Sequence, residues 1–276
     1  MIGQFLLAFR ETLEAALIIA IVLTYLVRTR RRSFMPYAWY GVFIAVGASI
    51  ALGIFVWFLF GGLTGSSKAL FEGVAALIAV PVLSSMIYWM ARKGKNIKME
   101  LERQLEAIAG RNAMVALMGF SFIVVFREGL ETVLFLTPFM VEDVAGTVIG
   151  AALGIILSLI LAYGIFVVGM KINLRKFFYT TSILLVLLAA GLVGYGVHEV
   201  LEYSKDVGTE TGWPGEYAYA LNIPESSPFH HKGIVGAIFA VMLGYTVKAE
   251  WLRLITHFGY LAIVLPLVIH IYRKPD

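Results

Sequence analysis

Apolar residues in this chain gather into runs of about 18 or more, each long enough to cross a membrane as a helix. Such runs lie near 2–27, 36–60, 69–91, 113–137, 144–170, 177–197 and 254–272. The pattern predicts an all-α polytopic membrane protein with seven transmembrane helices. The stretch 233–247, only about 15 residues, falls short of a roughly 30 Å hydrocarbon core and reads as re-entrant or interfacial. Between the third and fourth runs, Ile97, Leu101, Leu105 and Ile108 recur at helical spacing amid charges, which predicts a cytoplasmic helix lying on the membrane surface. Pro81 removes a backbone donor inside the third span and predicts a kink there. Gly150 and Gly154 form a small-xxx-small pair, and Gly191, Gly194 and Gly196 thin the sixth span, a pattern that permits close helix approach or bending.

Composition agrees. The 276 residues are 60% hydrophobic and 14% charged, with a mean hydropathy of +0.85, far from a soluble domain. Without cysteine, any metal must be held by oxygen and imidazole. The first run is no cleaved signal peptide, because Arg10, Glu11 and Glu14 interrupt it. A net charge of +4 would suggest nucleic acid in a soluble protein, but here the basic residues fall in short loops. The expected partner is the lipid bilayer, and no nucleic acid.

Those loops set an orientation. Arg28, Arg30, Arg31 and Arg32 follow the first span, and Arg92, Lys93, Lys95, Lys98, Arg103 and Arg111 lie between the third and fourth. Lys171, Arg175, Lys176, Arg273 and Lys274 fall on the same side. Positive-inside sorting then places the N-terminus outside and the C-terminus in the cytoplasm of an integral cell-membrane protein. The segments 61–67 and 203–232 and the acids Glu142 and Asp143 fit the outer side.

Against this background, charges inside the spans are the functional lead. An ionisable residue at mid-bilayer costs at least about 2.5–3.5 kcal/mol, yet Arg10-Glu11-Thr12-Leu13-Glu14 and Arg127-Glu128-Gly129-Leu130-Glu131 put six into two matching clusters. One copy sits on the first span and one on the fourth, which run in opposite directions. The chain therefore reads as two inverted three-helix repeats, about 1–91 and 113–197, joined by a cytoplasmic linker at 92–112. An outer loop at 198–253 and a last span at 254–272 complete it. Inverted repeats place substrate sites at their interface. At roughly 1.5 Å per residue, Glu11 and Glu14 lie about 13–20 Å from the outer start of their helix, and Glu128 and Glu131 about 9–14 Å from the outer end of theirs.

On each helix the two glutamates stand about 60° apart and share a face, so they can converge on one cation while the arginine neutralises part of their charge. Four carboxylates and two guanidiniums leave a net of about −2. Carboxylate oxygen is a hard ligand, and its type leaves magnesium, calcium, manganese and ferric iron open. Buried Arg–Glu pairing that only holds helices together is the structural alternative, and a matched duplicate argues against it. A third cluster, His198, Glu199 and Glu202, marks an accessory or entrance metal site where the sixth span should emerge, although polar residues are expected at a helix end in any case. Glu72 and the loop acids Asp206, Glu210, Glu216 and Glu225 form a cation-attracting mouth or a solvated surface. His230 and His231 are expected to be surface-exposed.

The paired Arg-Glu-x-Leu-Glu motifs, in register on the first and fourth spans, resemble the Ftr/EfeU-type high-affinity iron permeases. The glycine variant at Gly129, the acidic cluster after the sixth span and the overall size fit that family. The resemblance implies import of ferric iron, with Glu11, Glu14, Glu128 and Glu131 as ligands and Arg10 and Arg127 as charge-setting partners. It implies no permanently bound cofactor, iron being the transported substrate, and an extracytoplasmic partner that oxidises or delivers iron. Long family members carry an N-terminal extension, whereas here the first span begins at once. Two other functions fit the residues: proton-coupled transport of another divalent cation through the same glutamates, or an intramembrane enzyme or structural subunit. No nucleophile stands beside the motifs, so an enzyme is not expected.

Overall fold

The computed structural model describes residues 1–93, 97–107, 113–169, 174–209, 211–224, 226–230 and 234–273. Lys95, Ile108, Arg111, Lys171, Glu210, Glu225, His231 and Lys274 lie outside them. Nine α-helices occur among the described residues: α1 (Ile2–Arg28), α2 (Met35–Phe60), α3 (Gly65–Lys93), α4 (Ile97–Ala107), α5 (Ala113–Glu142), α6 (Val144–Phe166), α7 (Leu174–Asp206), α8 (Ile234–Leu243) and α9 (Trp251–Arg273). Six of them, α2, α3, α5, α6, α7 and α9, are long and apolar enough to cross a membrane. At 27 residues α1 has the length too, about 40 Å, but Arg10, Glu11 and Glu14 break its apolar run. Helix α8, with ten residues, is about 15 Å long and too short to span.

Helices α1, α2, α4, α5 and α6 form one compact unit. Its packing is that of a protein dissolved in lipid, with small and weakly polar residues inside and large apolar ones outside. On α6 the buried ridge is Gly146, Thr147, Gly150, Gly154, Ser158 and Ala162, whereas Val148, Ile149, Leu153, Ile156 and Ile160 are exposed. The small-residue pair seats α6 on α1: a Cβ added to Gly154 would stand 2.5 Å from the Phe5 carbonyl, and one on Gly150 2.8 Å from that of Met1. Helix α2 meets α5 in the same manner, Gly41 lying against the Met118 carbonyl and Ser121. Ile19, Ala45 and Val125 close the apolar contact among α1, α2 and α5.

Helix α4 packs on protein: Leu105 is buried in a cluster with Val22, Tyr25, Leu26, Ala38 and Leu117, and Leu101 is also buried. Docking on protein gives these leucines the same apolar exchange as lipid would, with fixed packing partners in addition.

Helices α3, α7, α8 and α9 form the second unit. The third span begins four residues earlier than its apolar run, and the sixth continues to Asp206, so the polar cluster after residue 197 stays helical. Chain remains helical on both sides of Pro81. Gly73 and Gly196 cross face to face, each built Cβ coming within 3.0 Å of the other's carbonyl. Hydroxyl pairs bind α9 to its neighbours, Ser84 to Tyr260 at 2.7 Å and Ser182 to Tyr272 at 3.0 Å. The segment between α7 and α9 also holds an antiparallel two-stranded ribbon absent from the helical reading, β1 (Tyr217–Ala220) against β2 (Lys248–Glu250), with Tyr217 opposite Glu250.

Replacing Gly154 by Leu should force α6 off α1 and destabilise the detergent-solubilised protein by about 1–3 kcal/mol, the usual range for overpacking. Ala at Gly47, where a Cβ meets nothing within 4 Å, should leave the thermal midpoint unchanged. Thermal unfolding followed by tryptophan fluorescence checks both.

Candidate metal centre

Both motifs lie within uninterrupted helix, so their side chains are displayed at fixed angles. Glu11 and Glu14 stand about 13 and 18 Å along the axis from the start of α1, and Glu131 and Glu128 about 16 and 21 Å from the end of α5. Each arginine reaches both acids of its own motif. Arg10 binds Glu11 at 2.8 Å and Glu14 at 2.6 Å, and Arg127 binds Glu128 at 2.7 Å and Glu131 at 3.4 Å. Gly129 takes the place of Thr12 in the second copy because α2 passes there: any Cβ would collide with the Ser49 side chain.

Across the two motifs, Glu11, Glu128 and Glu131 each offer a carboxylate oxygen such that all three lie within 4.8 Å of one another. Glu11 and Glu128 are fully buried. On each of the three, Oε1 is paired with arginine and Oε2 is buried with no hydrogen-bond partner among the described residues. Like charges at this range repel strongly in a poorly solvated site. A cation among them would relieve that repulsion, and bonds of about 2.0–2.2 Å require each oxygen to move toward the centre by up to about 0.6–0.8 Å. Glu14 is also buried but stands outside the trio, held by Arg10.

Comparison with known proteins addresses the same region. Residues 1–271 match the iron permease FTR1 family. The chain belongs to that family. A protein of Archaeoglobus fulgidus described only as uncharacterized is 46% identical over 274 residues, 99% of this chain and 96% of its own length. The ferrous iron permease EfeU of Yersinia pestis is 33% identical over 264 residues, 95% of this chain and 90% of its own. That of Escherichia coli O6:H1 is 37% identical over 199 residues, 70% of this chain and 71% of its own. No solved structure matches. Family membership and the apolar helices make this an integral membrane protein of a transporter family.

The remaining candidates gather in the second unit. One ligand atom from each of His198, Glu199 and Glu202 falls within a 4.8 Å group. Glu72 is not solvated as its place near a loop suggested. It is buried, accepts a hydrogen bond from the Tyr195 hydroxyl at 2.6 Å and pairs with Lys68 at 3.5 Å. It serves packing between α3 and α7. His230 is likewise buried rather than exposed.

Sequence reasoning missed Glu250. This carboxylate on β2 is 1% exposed and meets His198 Nδ1 at 3.0 Å. Burial pushes it up, but the hydrogen bond with His198, a backbone N–H and the Arg253 guanidinium together outweigh that and hold it below the usual carboxylate range. Its only sequence signal was position, an acid one residue before an apolar span.

The two arginines differ in setting, Arg10 having 2% of its side chain exposed and Arg127 47%. Arg10→Met should strand two buried carboxylates and destabilise the protein by about 3–5 kcal/mol. For Arg127→Met, whose guanidinium is half exposed but whose partner Glu128 is buried, a smaller loss of about 1–3 kcal/mol is expected. Thermal midpoints of the metal-free variants check the order.

Proposed function

We propose that this protein imports iron through a site made by the two motifs. The observation that carries the proposal is the approach of Glu11, Glu128 and Glu131 within 4.8 Å, each with a second oxygen that has no hydrogen-bond partner among the described residues. Burying three acids together is unfavourable unless their charge is compensated, and two guanidiniums compensate part of it. A multivalent cation supplies the rest. Glu14 stands ready as a fourth ligand beside Arg10, and Arg127 pairs with Glu128 and Glu131 and balances part of their charge.

The architecture proposed for this task has seven spans, with α1 completing the six apolar ones. Helices α1 to α3 and α5 to α7 are two inverted repeats, the N-terminus is outside and the C-terminus is cytoplasmic. Two features support the repeat. Arginine grips its acids at i,i+1 and i,i+4 in both motifs, and each repeat gives its first two helices to one unit and its third to the other. Helix α8 then lies in the outer segment as a re-entrant or interfacial piece.

Iron enters as the class of ion from family membership, and the relatives of this chain in Yersinia pestis and Escherichia coli bear the name ferrous iron permease. An all-oxygen donor set is hard and favours the ferric state once the ion is bound. Delivery by an extracytoplasmic iron-oxidising or iron-delivering protein belongs to the same proposal.

Purified protein in liposomes should take up radioactive iron. Glu11→Gln or Glu128→Gln should lower the rate at least a hundredfold with insertion unchanged, and uptake at the wild-type rate by both would overturn the ligand assignment. Parallel assays with ferric citrate and with ascorbate-reduced iron distinguish the redox states. Transport of manganese or zinc in preference to iron, driven by a pH gradient, would favour a proton-coupled carrier instead.

A further inference from the structure

We propose that His198, Glu199 and Glu202 on α7 form a second metal site, which takes a divalent first-row transition cation and is oriented by Glu250. The inference stands on this unit alone and is independent of the ion carried by the first.

The geometry begins with the helix. His198 and Glu202 stand one turn apart and Glu199 is adjacent, so one ligand atom from each comes within 4.8 Å of the others. His198 Nε2 is 3.7 Å from Glu202 Oε2, too long for a hydrogen bond. Two ligands each about 2.1 Å from a shared ion stand that far apart at an angle of roughly 120°. The separation therefore suits an interposed cation better than direct pairing.

Glu250 gives the second, independent indication. A helix end facing water accounts for Glu202, whose side chain is 56% exposed, but not for a glutamate at 1%. An ionised carboxylate only accepts, so His198 Nδ1–H donates to Glu250 Oε1 across the 3.0 Å contact. That fixes the tautomer and leaves the Nε2 lone pair directed away, toward Glu202. Metal-binding histidines show this arrangement, the distal ring N–H held by a carboxylate outside the coordination sphere. The other oxygen, Glu250 Oε2, is buried with no hydrogen-bond partner among the described residues. By covalent geometry it lies within about 5.5 Å of the ring. The β1–β2 ribbon explains how a loop residue is held so firmly, since it clamps Glu250 opposite Tyr217.

Charge and donor chemistry specify the guest. Glu199, Glu202 and Glu250 bring three carboxylates, and Arg253 interacts electrostatically with Glu250 and Glu199. Lys205 and Lys248 lie over the Tyr217 ring opposite Glu250, so the acids are partly balanced and a divalent ion is enough to offset the remainder. One imidazole with carboxylates suits iron(II), cobalt, nickel or zinc, whereas calcium and magnesium call for oxygen alone. The two centres thus differ in kind, and only this one has a nitrogen donor.

The test uses the full chain with Glu11→Gln and Glu128→Gln, which removes the first centre, and cobalt(II) as probe. Calorimetry should give one equivalent bound, resistant to excess calcium. Both His198→Ala and the surface change Glu202→Gln should weaken it at least tenfold, and Glu250→Gln about tenfold through the ring it positions. Proton NMR of the cobalt-loaded protein should show one strongly shifted, solvent-exchangeable imidazole N–H signal, lost in His198→Ala. Cobalt binding unchanged by His198→Ala, displacement by calcium, or no bound equivalent in the folded double variant would each overturn the proposal.

Discussion

The interaction on which the first unit depends is repulsion among buried carboxylates, held in check by two guanidiniums. Glu11, Glu128 and Glu131 come within 4.8 Å on helices that would otherwise be uniformly apolar. Such a cluster persists only if its neighbours cannot move apart to let water in. The glycines of α2 and α6 supply that rigidity. With Gly41 against α5, and Gly150 and Gly154 against α1, backbones lie close enough that separation would sacrifice extensive van der Waals contact. In lipid, such packing substitutes for the hydrophobic force that holds a soluble core.

The second unit solves a similar problem by other means. Its glycine crossing at Gly73 and Gly196 again brings α3 and α7 close, but its polar groups are paired locally: Glu72 with Tyr195 and Lys68, Ser84 with Tyr260, His257 Nδ1 with the Ala190 carbonyl at 2.8 Å. A buried polar side chain in an apolar medium needs a partner. A leftover atom alone does not mark a site, since Glu72 Oε1 and His257 Nε2 also lack a hydrogen bond among the described residues. A ligand site is marked where several carboxylates with such atoms converge, as Glu11, Glu128 and Glu131 do.

Legibility in the sequence followed the range of the cause. Apolar runs and charges inside them are local, so the long helices and the Arg-Glu-x-Leu-Glu motifs were visible directly. The role of Gly150 and Gly154 was readable because small residues at i,i+4 imply contact whatever the partner. By contrast, the burial of Leu101, Glu72 and His230 depends on what lies across from them, and spacing says nothing of that. The strand at Lys248–Glu250 was hidden for the same reason. Three residues carry no period, and the ribbon exists because β1 is there to receive them.

The two motif copies, though nearly identical in letters, are not equivalent in space. Arg10 is sealed and holds Glu14 at 2.6 Å, whereas Arg127 is half open and holds Glu131 at 3.4 Å. The looser acid joins the trio and the tighter one does not. Glu11 and Glu128 are held as closely as Glu14, at 2.8 and 2.7 Å, yet stand in the trio, so at Glu14 it is placement together with the arginine contact that keeps a fourth ligand back. A cation among Glu11, Glu128 and Glu131 repels Arg10 and attracts Glu14, so its arrival weakens the contact that keeps the fourth ligand back. On the proposed function, ligation would then rise from three to four carboxylates as the ion settles, and release would follow the reverse exchange of Glu14 from ion to arginine. An inverted repeat with perfect symmetry would lack this step, because all four acids would be held alike.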